Sequence, residues 1–305
     1  MEAAEYVRMA EVQDRHWWFE AKRRTVAALL ARHRVGEGAG EPRRVLRRVL
    51  EVGPGTGPMI EVMTRHGRMY AADAYLPALR LLIEHRPRAA DVVPVGADLL
   101  DLPFDDQSFS LLGCFDVLYH QGVAAVPDAL AELHRVCEPG GYIAITDSAF
   151  SLLRSSHDVA MHGARRFRLP ELTGPLRDTG FTIEHASYFH TLLFPAAVAV
   201  RLTKRALQGS PELERGGRSA APSRADGVEG AEEVAPHSEL APHSDLAPHS
   251  DLAPVAGWLN ALLLSLYRVE TPLAVRFRMP FGSSVLILAR RPALPRLGGL
   301  DRSVP

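Results

Sequence analysis

Three glycines at alternate positions, Gly53, Gly55 and Gly57, follow an apolar run that carries one acid, Val49-Leu50-Glu51-Val52. Such a run reads as a buried strand that turns sharply into a helix. Glycine lets the backbone fold back tightly and lets a ligand approach with no Cβ in the way. Free N–H groups at the start of the next helix then favour an anionic group. The dinucleotide fingerprint G-x-G-x-x-G places its third glycine three residues after the second. Here the third comes after two, and Pro58 occupies the dinucleotide position. Taken alone, the loop is also compatible with a plain strand-to-helix turn.

Further polar residues recur where strands should end. Asp73 closes the run Arg68–Asp73. It either accepts hydrogen bonds from ribose hydroxyls or caps the next helix; its place about 20 residues past the loop favours the ribose. Asp98 and Leu99 open an acidic stretch, Asp101-Leu102-Pro103-Phe104-Asp105-Asp106. An acid beside a backbone N–H is the donor–acceptor pair that adenine requires. His120 follows another apolar run and is a candidate general base, or simply a loop histidine. His157, Asp158, His162, Arg165 and Arg166 cluster in ten residues. The arginines suit a carboxylate or phosphate and the histidines a hydroxyl; the competing reading is an ion-paired loop latching the N-terminal helix. The spacing of His157, Asp158 and His162 matches no strong zinc pattern, so no metal is expected.

These residues carry a family resemblance. Glu51-x-Gly53-x-Gly55-x-Gly57 resembles motif I, [D/E]-x-G-x-G-x-G, of class I S-adenosylmethionine (SAM) dependent methyltransferases. Residues 96–109 are similar to that family's G-D-A-x-D-L-P-F-x-D-x-S-F-D, with Ser110 where the family often has Asp. Residues 115–120 resemble D-V-L-x-H, and 131–141 resemble L-x-E-x-x-R-V-L-K-P-G-G. The resemblance implies SAM as cofactor, held by Glu51, Gly53, Gly55, Gly57, Asp73, Ala74, Asp98, Leu99 and Phe115, with Glu51 suiting its cationic groups. It also implies that His120 faces the methyl group. A bacterial group within the family is similar in three further places. These are His16-Trp17-Trp18-Phe19 with Arg23-Arg24, Ser156-His157-Asp158 with His162 and Arg165-Arg166-Phe167, and Pro280-Phe281-Gly282-Ser283-Ser284. By that likeness Trp17 and Trp18 pack over the cofactor cleft, with Trp18, Arg165 and Arg166 as acceptor-binding candidates and His120, His157 and His162 as catalytic ones.

Alternation of strand and helix through residues 45–147 predicts a doubly wound α/β sheet. Strands are expected at 45–52, 68–73, 92–95, 109–117 and 142–147, with helices between them. A helix at 14–33 precedes them. Beyond residue 150, helices are expected at 169–179, 190–207 and 255–268, and strands at 181–187 and 284–289. The resemblance implies a Rossmann-like sheet of seven strands, order 3-2-1-4-5-7-6, strand seven antiparallel, with a helical insertion before the last strand. The expected organisation is an N-terminal helical lid at 1–42, a SAM-binding core at 43–207, a disordered insertion at 208–254, and a helix, last strand and tail at 255–305.

Composition narrows the function. A net charge of −1 argues against bulk binding of nucleic acid. No apolar leader is visible, and Cys114 and Cys137 form no C-x-x-C, so a reducing cytoplasm is the expected compartment. Apolar stretches at 192–200 and 255–267 are too short to span a bilayer but could lie on its surface. The expected activity is methyl transfer to a small or lipid-like acceptor, at oxygen before nitrogen. The rival is a membrane-surface or regulatory protein retaining an inactive SAM-binding fold. A nicotinamide oxidoreductase is a weaker third, disfavoured by Pro58 and Leu102-Pro103-Phe104. Oligomeric state is not legible. The tract 208–254 contains APHSEL, APHSDL and APHSDL, and its composition cannot bury enough apolar surface to order itself. Its histidines, His237, His243 and His249, read as repeat residues rather than metal ligands. Deleting 208–254 is expected to leave melting temperature and SAM affinity nearly unchanged; a thermal scan and a titration check this, and a large loss in either places the repeats inside the folded body.

Overall fold

The computed structural model describes residues 3–36, 48–85, 92–208 and 255–293. The repeat tract expected to be disordered therefore lies, but for Gln208, outside the described residues. So do the first residues of the expected strand at 45–52. The chain builds a seven-stranded sheet of β1 (Arg48–Val52), β2 (Arg68–Asp73), β3 (Val92–Gly96), β4 (Phe109–Phe115), β5 (Cys137–Ser148), β6 (Thr182–Phe189) and β7 (Ser284–Arg290). Their order is β3-β2-β1-β4-β5-β7-β6, and β7 runs antiparallel to both neighbours. This is the expected Rossmann-like architecture, with the last strand entering after the helical insertion.

Side chains alternate across the strands and feed two cores. Leu50, Leu112, Ile143 and Ile287 face one side, where they meet Leu130 and Leu133 of α5 (Val126–Val136) and Leu172 and Leu176 of α7 (Leu169–Asp178). Val49, Leu111, Ala144 and Leu286 face the other. There they meet Val26, Leu29 and Leu30 of α2 (Trp17–Arg32), Leu79 and Leu82 of α4 (Leu76–His85), and Ala274 and Val275 of α9 (Gly257–Arg276). Helices on both faces explain why β4 is buried throughout and apolar but for Ser110, as parallel strands in such sheets are. Cys114 and Cys137 are buried and free.

Several boundaries move for identifiable reasons. A helix not expected, α1 (Ala3–Val12), precedes α2. The helix after the glycine loop is short, α3 (Ile60–Met63), closing in a 3-10 turn at Thr64–His66. β4 stops two residues early because Asp116 turns out with φ 57°. β5 begins at Cys137, ahead of Pro139-Gly140-Gly141, and absorbs that break as a register shift opposite Phe109–Leu111. A short helix, α6 (Ser156–Ala160), sits in the His/Arg cluster. The apolar helix expected from residue 190 starts later, as α8 (Phe194–Gln208), since His190 has φ 59°. α9 runs on through Pro272 to Arg276. Its buried Glu270 accepts from the N–H groups of Thr191 and Leu192 (2.7 and 3.2 Å), which ties the two ends of the insertion together.

Gly282 shows why Pro280-Phe281-Gly282 precedes β7. A Cβ there would lie 2.2 Å from the Phe189 carbonyl oxygen, a backbone atom with nowhere to go. Gly282→Ala should therefore destabilise the fold by roughly 1–3 kcal/mol or more, as overpacking does; urea unfolding of the variant measures it.

Candidate functional site

A cavity of about 710 Å³ opens at the carboxyl ends of β1, β2 and β4. Open α/β sheets bind ligands at this edge, where strand order reverses. The volume lies within the range of small-molecule sites.

The glycine loop forms one wall. Gly53 and Gly55 have φ of 60° and 55°, a region that favours glycine, and both line the cavity. Asp73 holds the loop: its Oδ2 accepts from the Gly55 N–H at 3.0 Å and its Oδ1 from the Tyr75 N–H at 2.8 Å. Burial pushes its carboxyl above the ordinary range, and the two N–H groups pull it back. Glu51, Ala74, Leu99 and Phe115 also line the cavity, as does the exposed Asp98, whose Oδ1 accepts from the Leu100 N–H. Gly57 departs from its expected place. It lies off the cavity wall, with φ 81°, and a Cβ there would press on Ile60 and Leu82. Glycine there lets the loop pack.

The roof comes from the N-terminal helices. Gln13 Nε2 donates to the Thr56 carbonyl (3.1 Å), and Thr56 Oγ1 donates to Gln13 Oε1 (2.8 Å). The Arg23 guanidinium donates to the carbonyls of Gln13, Asp14 and Pro58. Tyr6 stacks on Tyr75 at 4.8 Å, and both line the cavity. Lys22, 2% exposed, forms an ion pair with Asp116 just past β4, and its Nζ lies 3.7 Å from the centre of the Trp18 ring. Trp18 stacks on His190 in turn. Trp17 and Trp18 thus cover the cleft, and both reach its wall.

The far end holds the acceptor candidates. His120 and His162 line it, with ring centroids 5.9 Å apart, and the Gly122 N–H donates to His120 Nδ1. Asp147, fully buried, accepts from the N–H groups of Tyr119 and Ser148. Burial first, then Asp116, pushes its carboxyl well above the usual range. Arg166 reaches the wall but is committed: its Nε and Nη2 grip the buried Asp158 carboxylate at 2.7 and 3.0 Å, and Nη1 donates to the Ala149 carbonyl. Arg165 lies off the wall, its backbone N–H directed at the Tyr119 carbonyl. Thus the pair does not form the expected anion clamp; Arg166 braces the loop instead. His157 falls in α6, and its side chain lies outside the described residues. Among the described residues no trio of His, Cys, Asp or Glu is placed to hold a metal.

Sequence reasoning missed Tyr6, Met9, His16, Lys22, Asp116 and Arg201 on this wall. One signal was available: Lys22 and Lys204 are the chain's lysines, so Lys22 stands out among arginines. The apolar–polar spacing of Tyr6, Met9, Ala10 and Gln13 could have shown the first helix.

Comparison with known proteins agrees with this fold. Residues 50–145 match the family described as "Methyltransferase domain". Over 124 residues the chain is 31% identical to malonyl-[acyl-carrier protein] O-methyltransferase of Serratia marcescens, a match covering 41% of this chain and 46% of that protein. The chain spans less than half the length of that curated relative. Among solved structures, a chain of the Haloferax volcanii complex between the Trm112 methyltransferase activator and a methyltransferase shares the fold. Its TM-score is 0.52 at 17% identity, over 95% of this chain and 96% of that one. Geranyl diphosphate C-methyltransferase of Streptomyces coelicolor, solved with S-adenosyl-L-homocysteine, gives 0.48 at 15% identity, over 87% and 74%.

One titration follows from the geometry. Burial above all, then nearby positive charge including His162, lowers His120 from 6.5 to about 4. Between those values the unfolded chain binds the proton that the folded chain refuses, so His120's contribution is intact above pH 6.5 and is lost as pH falls toward 4. Chemical denaturation at pH 7.5 and pH 4.5 should show a smaller acid-induced loss in His120→Gln than in the unaltered protein.

Proposed function

We propose that the protein is a SAM-dependent methyltransferase acting on a small or lipid-like acceptor, at oxygen. The observation that carries this is the set of groups that line one cavity after neighbouring strands: Asp98 and Leu99 after β3, Asp73 at the end of β2, Gly53 and Gly55 after β1, and Asp116, Tyr119 and His120 after β4. That order matches the three parts of the cofactor and then its methyl donor. Asp98 would accept from the adenine amine and the Leu99 N–H would face a ring nitrogen. Asp73 would take the ribose hydroxyls with the lone pairs that Gly55 and Tyr75 leave over. Gly57 shapes the loop from behind, Ala74 and Phe115 give it apolar walls, and Glu51 suits a cationic group. The residues present fit the cofactor: Gly53 and Gly55 line the cavity beside the Asp73 carboxylate, with Asp98 on the same wall.

SAM supplies a methyl group already activated by its sulfonium. The protein's work is then to align, desolvate and handle a proton, and alignment alone contributes roughly 7–11 kcal/mol. His120, neutral above its lowered titration range, accepts the Gly122 N–H at Nδ1 and so carries its hydrogen on Nε2; it can orient an acceptor hydroxyl, and would take its proton only at Nδ1 on release of that bond, with His162 beside it and His157 in the same loop. Trp18 offers the acceptor an apolar face. Oxygen as the receiving atom is supported by the likeness to an O-methyltransferase.

A lipid-like acceptor and peripheral membrane contact gain support from the insertion. Ala197 and Arg201 of α8 line the cavity, while Val200 and Leu202 on the same helix are about half exposed. On α9, Trp258 is 72% exposed. No helix among the described residues is long and apolar enough to cross a membrane. The same surface motivates the second reading, a membrane-surface or regulatory protein with an inactive fold. Two buried free thiols suit a reducing cytoplasm.

Asp73→Ala is expected to weaken SAM binding by about 1.5–3 kcal/mol, as for hydrogen bonds to a charged group. Calorimetry on the folded variant checks this, and unchanged affinity removes Asp73 from the site. Labelled SAM incubated with lipid and aqueous fractions of a cell extract tests activity; SAM binding with no labelled product in either favours the regulatory reading.

A further inference from the structure

Methyl transfer to a hydroxyl releases a proton, and a group on the wall must take it. His120 has no ready lone pair: its Nδ1 accepts the Gly122 N–H at 3.1 Å, and the neutral ring then carries its hydrogen on Nε2. Asp116 is differently placed. It stands just past β4, where a left-handed backbone (φ 57°) turns its side chain out of the strand line. Its N–H donates to the Thr146 carbonyl at 2.8 Å, which fixes that turn. The next residue, Val117, packs on the glycine loop: a Cβ on Gly53 would lie 2.6 Å from Val117 Cγ2. Asp116 and Gly53 both line the cavity.

The two oxygens of Asp116 have different surroundings. Oδ2 is paired with Lys22 Nζ. Oδ1 has no hydrogen bond among the described residues, and it is open rather than sealed: the side chain is 21% exposed, against 2% for that of Lys22. Lys22 and Trp18 lie over this carboxylate and line the same cavity, so its open side faces the ligand space.

We infer that Asp116 Oδ1 is the catalytic base, and that the acceptor group is a hydroxyl rather than a carboxylate. This rests on the SAM reading above. The acceptor oxygen bonds to the methyl carbon as the carbon–sulfur bond breaks, and that electron pair stays on sulfur. The hydroxyl hydrogen passes to Oδ1 and from there to water. An ion-paired carboxylate suffices, because the attacking oxygen gains positive charge as its new bond forms and its hydrogen becomes strongly acidic. Lys22, by holding Oδ2, aims Oδ1. A carboxylate acceptor brings no hydrogen to transfer and sets like charge against Asp116.

Asp116→Asn alone would leave Lys22 buried and unpaired, so the test is made in Lys22→Met, which removes that charge. Adding Asp116→Asn to Lys22→Met exchanges the carboxylate for an amide of the same shape. Between these two proteins, transfer from methyl-labelled SAM to acceptor in a cell extract should fall roughly 10²–10⁴-fold, the size of a general base. Their melting temperatures and their affinities for S-adenosylhomocysteine should be alike. The product of the unaltered protein should keep its label in alkali, as a methyl ether does, whereas a methyl ester releases labelled methanol; should the variants not fold, this measurement decides. Equal transfer by the two variants overturns the assignment. So does a matching fall in S-adenosylhomocysteine affinity, which makes Asp116 a cofactor ligand, and so does an alkali-labile product. If the unaltered protein binds S-adenosylhomocysteine but yields no labelled product, the base is overturned and the cofactor reading stands; if it does not bind, both fall.

Discussion

A buried ammonium must have a partner, and Lys22 has Asp116. Taking a cation out of water without compensation costs several kcal/mol, so α2 can lie over the sheet only where that carboxylate waits. The left-handed turn at Asp116, immediately past β4, is what points the acid out of the strand line toward the helix. The Trp18 ring covers the other side of Lys22 and adds a cation–π contact. Helix, tryptophan and strand end are thereby fixed together at the place where the cavity turns from its glycine-loop wall to its histidine end. A lid whose anchor lies inside the site cannot move without disturbing the site. Glycine loop, histidine end and N-terminal segment therefore form one mechanical unit.

That unit has a second support from far along the chain. The Trp17 N–H donates to Asn260 Oδ1, Asn260 Nδ2 donates to the Arg15 carbonyl, and the hydroxyls of Thr25 and Thr271 meet at 3.1 Å. Trp17 also stacks on Tyr267 at 5.8 Å. α9 thus serves α2 as a splint, and Glu270 on the same helix takes the N–H groups that lead the chain into α8. The insertion before β7 carries the lid and contributes Ala197 and Arg201 to the cavity. This explains why a region that looked like an apolar appendage contains so many polar groups without exposure. They make bonds between segments, and a buried polar group is tolerated only when bonded.

What could be read from the sequence was what local chemistry decides. β2 lies where expected, Arg68 to Asp73, because an apolar run bounded by a glycine and an acid leaves little choice. The glycine loop and its acid were legible because each position needs its residue type for backbone reasons. The fold order came through likeness of motifs rather than from residue pattern. What escaped depended on partners distant in sequence. α9 passes through Pro272, against local preference, because Glu270, Ala274 and Val275 are held by the rest of the molecule. Arg166 could be read as a ligand clamp or as part of an ion-paired loop, because its spacing to Asp158 does not say whether the two side chains meet; they do, in a two-pronged pair. Gly57 belonged to the right motif and yet faces Ile60 and Leu82, since the motif records what the turn needs as well as what the ligand needs.

The charges around the cavity follow one logic. Glu51, Asp73, Asp116 and Asp147 gather at the ends of the central strands, while Lys22 and Arg166 are each spent on an acid. With Asp116 neutralised by Lys22 and Asp147 pushed by burial toward its protonated form, Glu51 and Asp73 supply the negative character of the site, which favours cationic character in what it holds provided the acids cannot relax. Here they cannot. Asp73 is pinned by two backbone N–H groups, Asp147 by two more, and Asp116 by the lid. Fixed dipoles and charges cost no reorganisation when a positive centre changes hands, which is the condition for electrostatic catalysis in a closed cleft. The aromatic and helical roof then matters for a physical reason beyond shape. By excluding water it lowers the local dielectric, and each of these fixed groups acts more strongly than it would in an open groove.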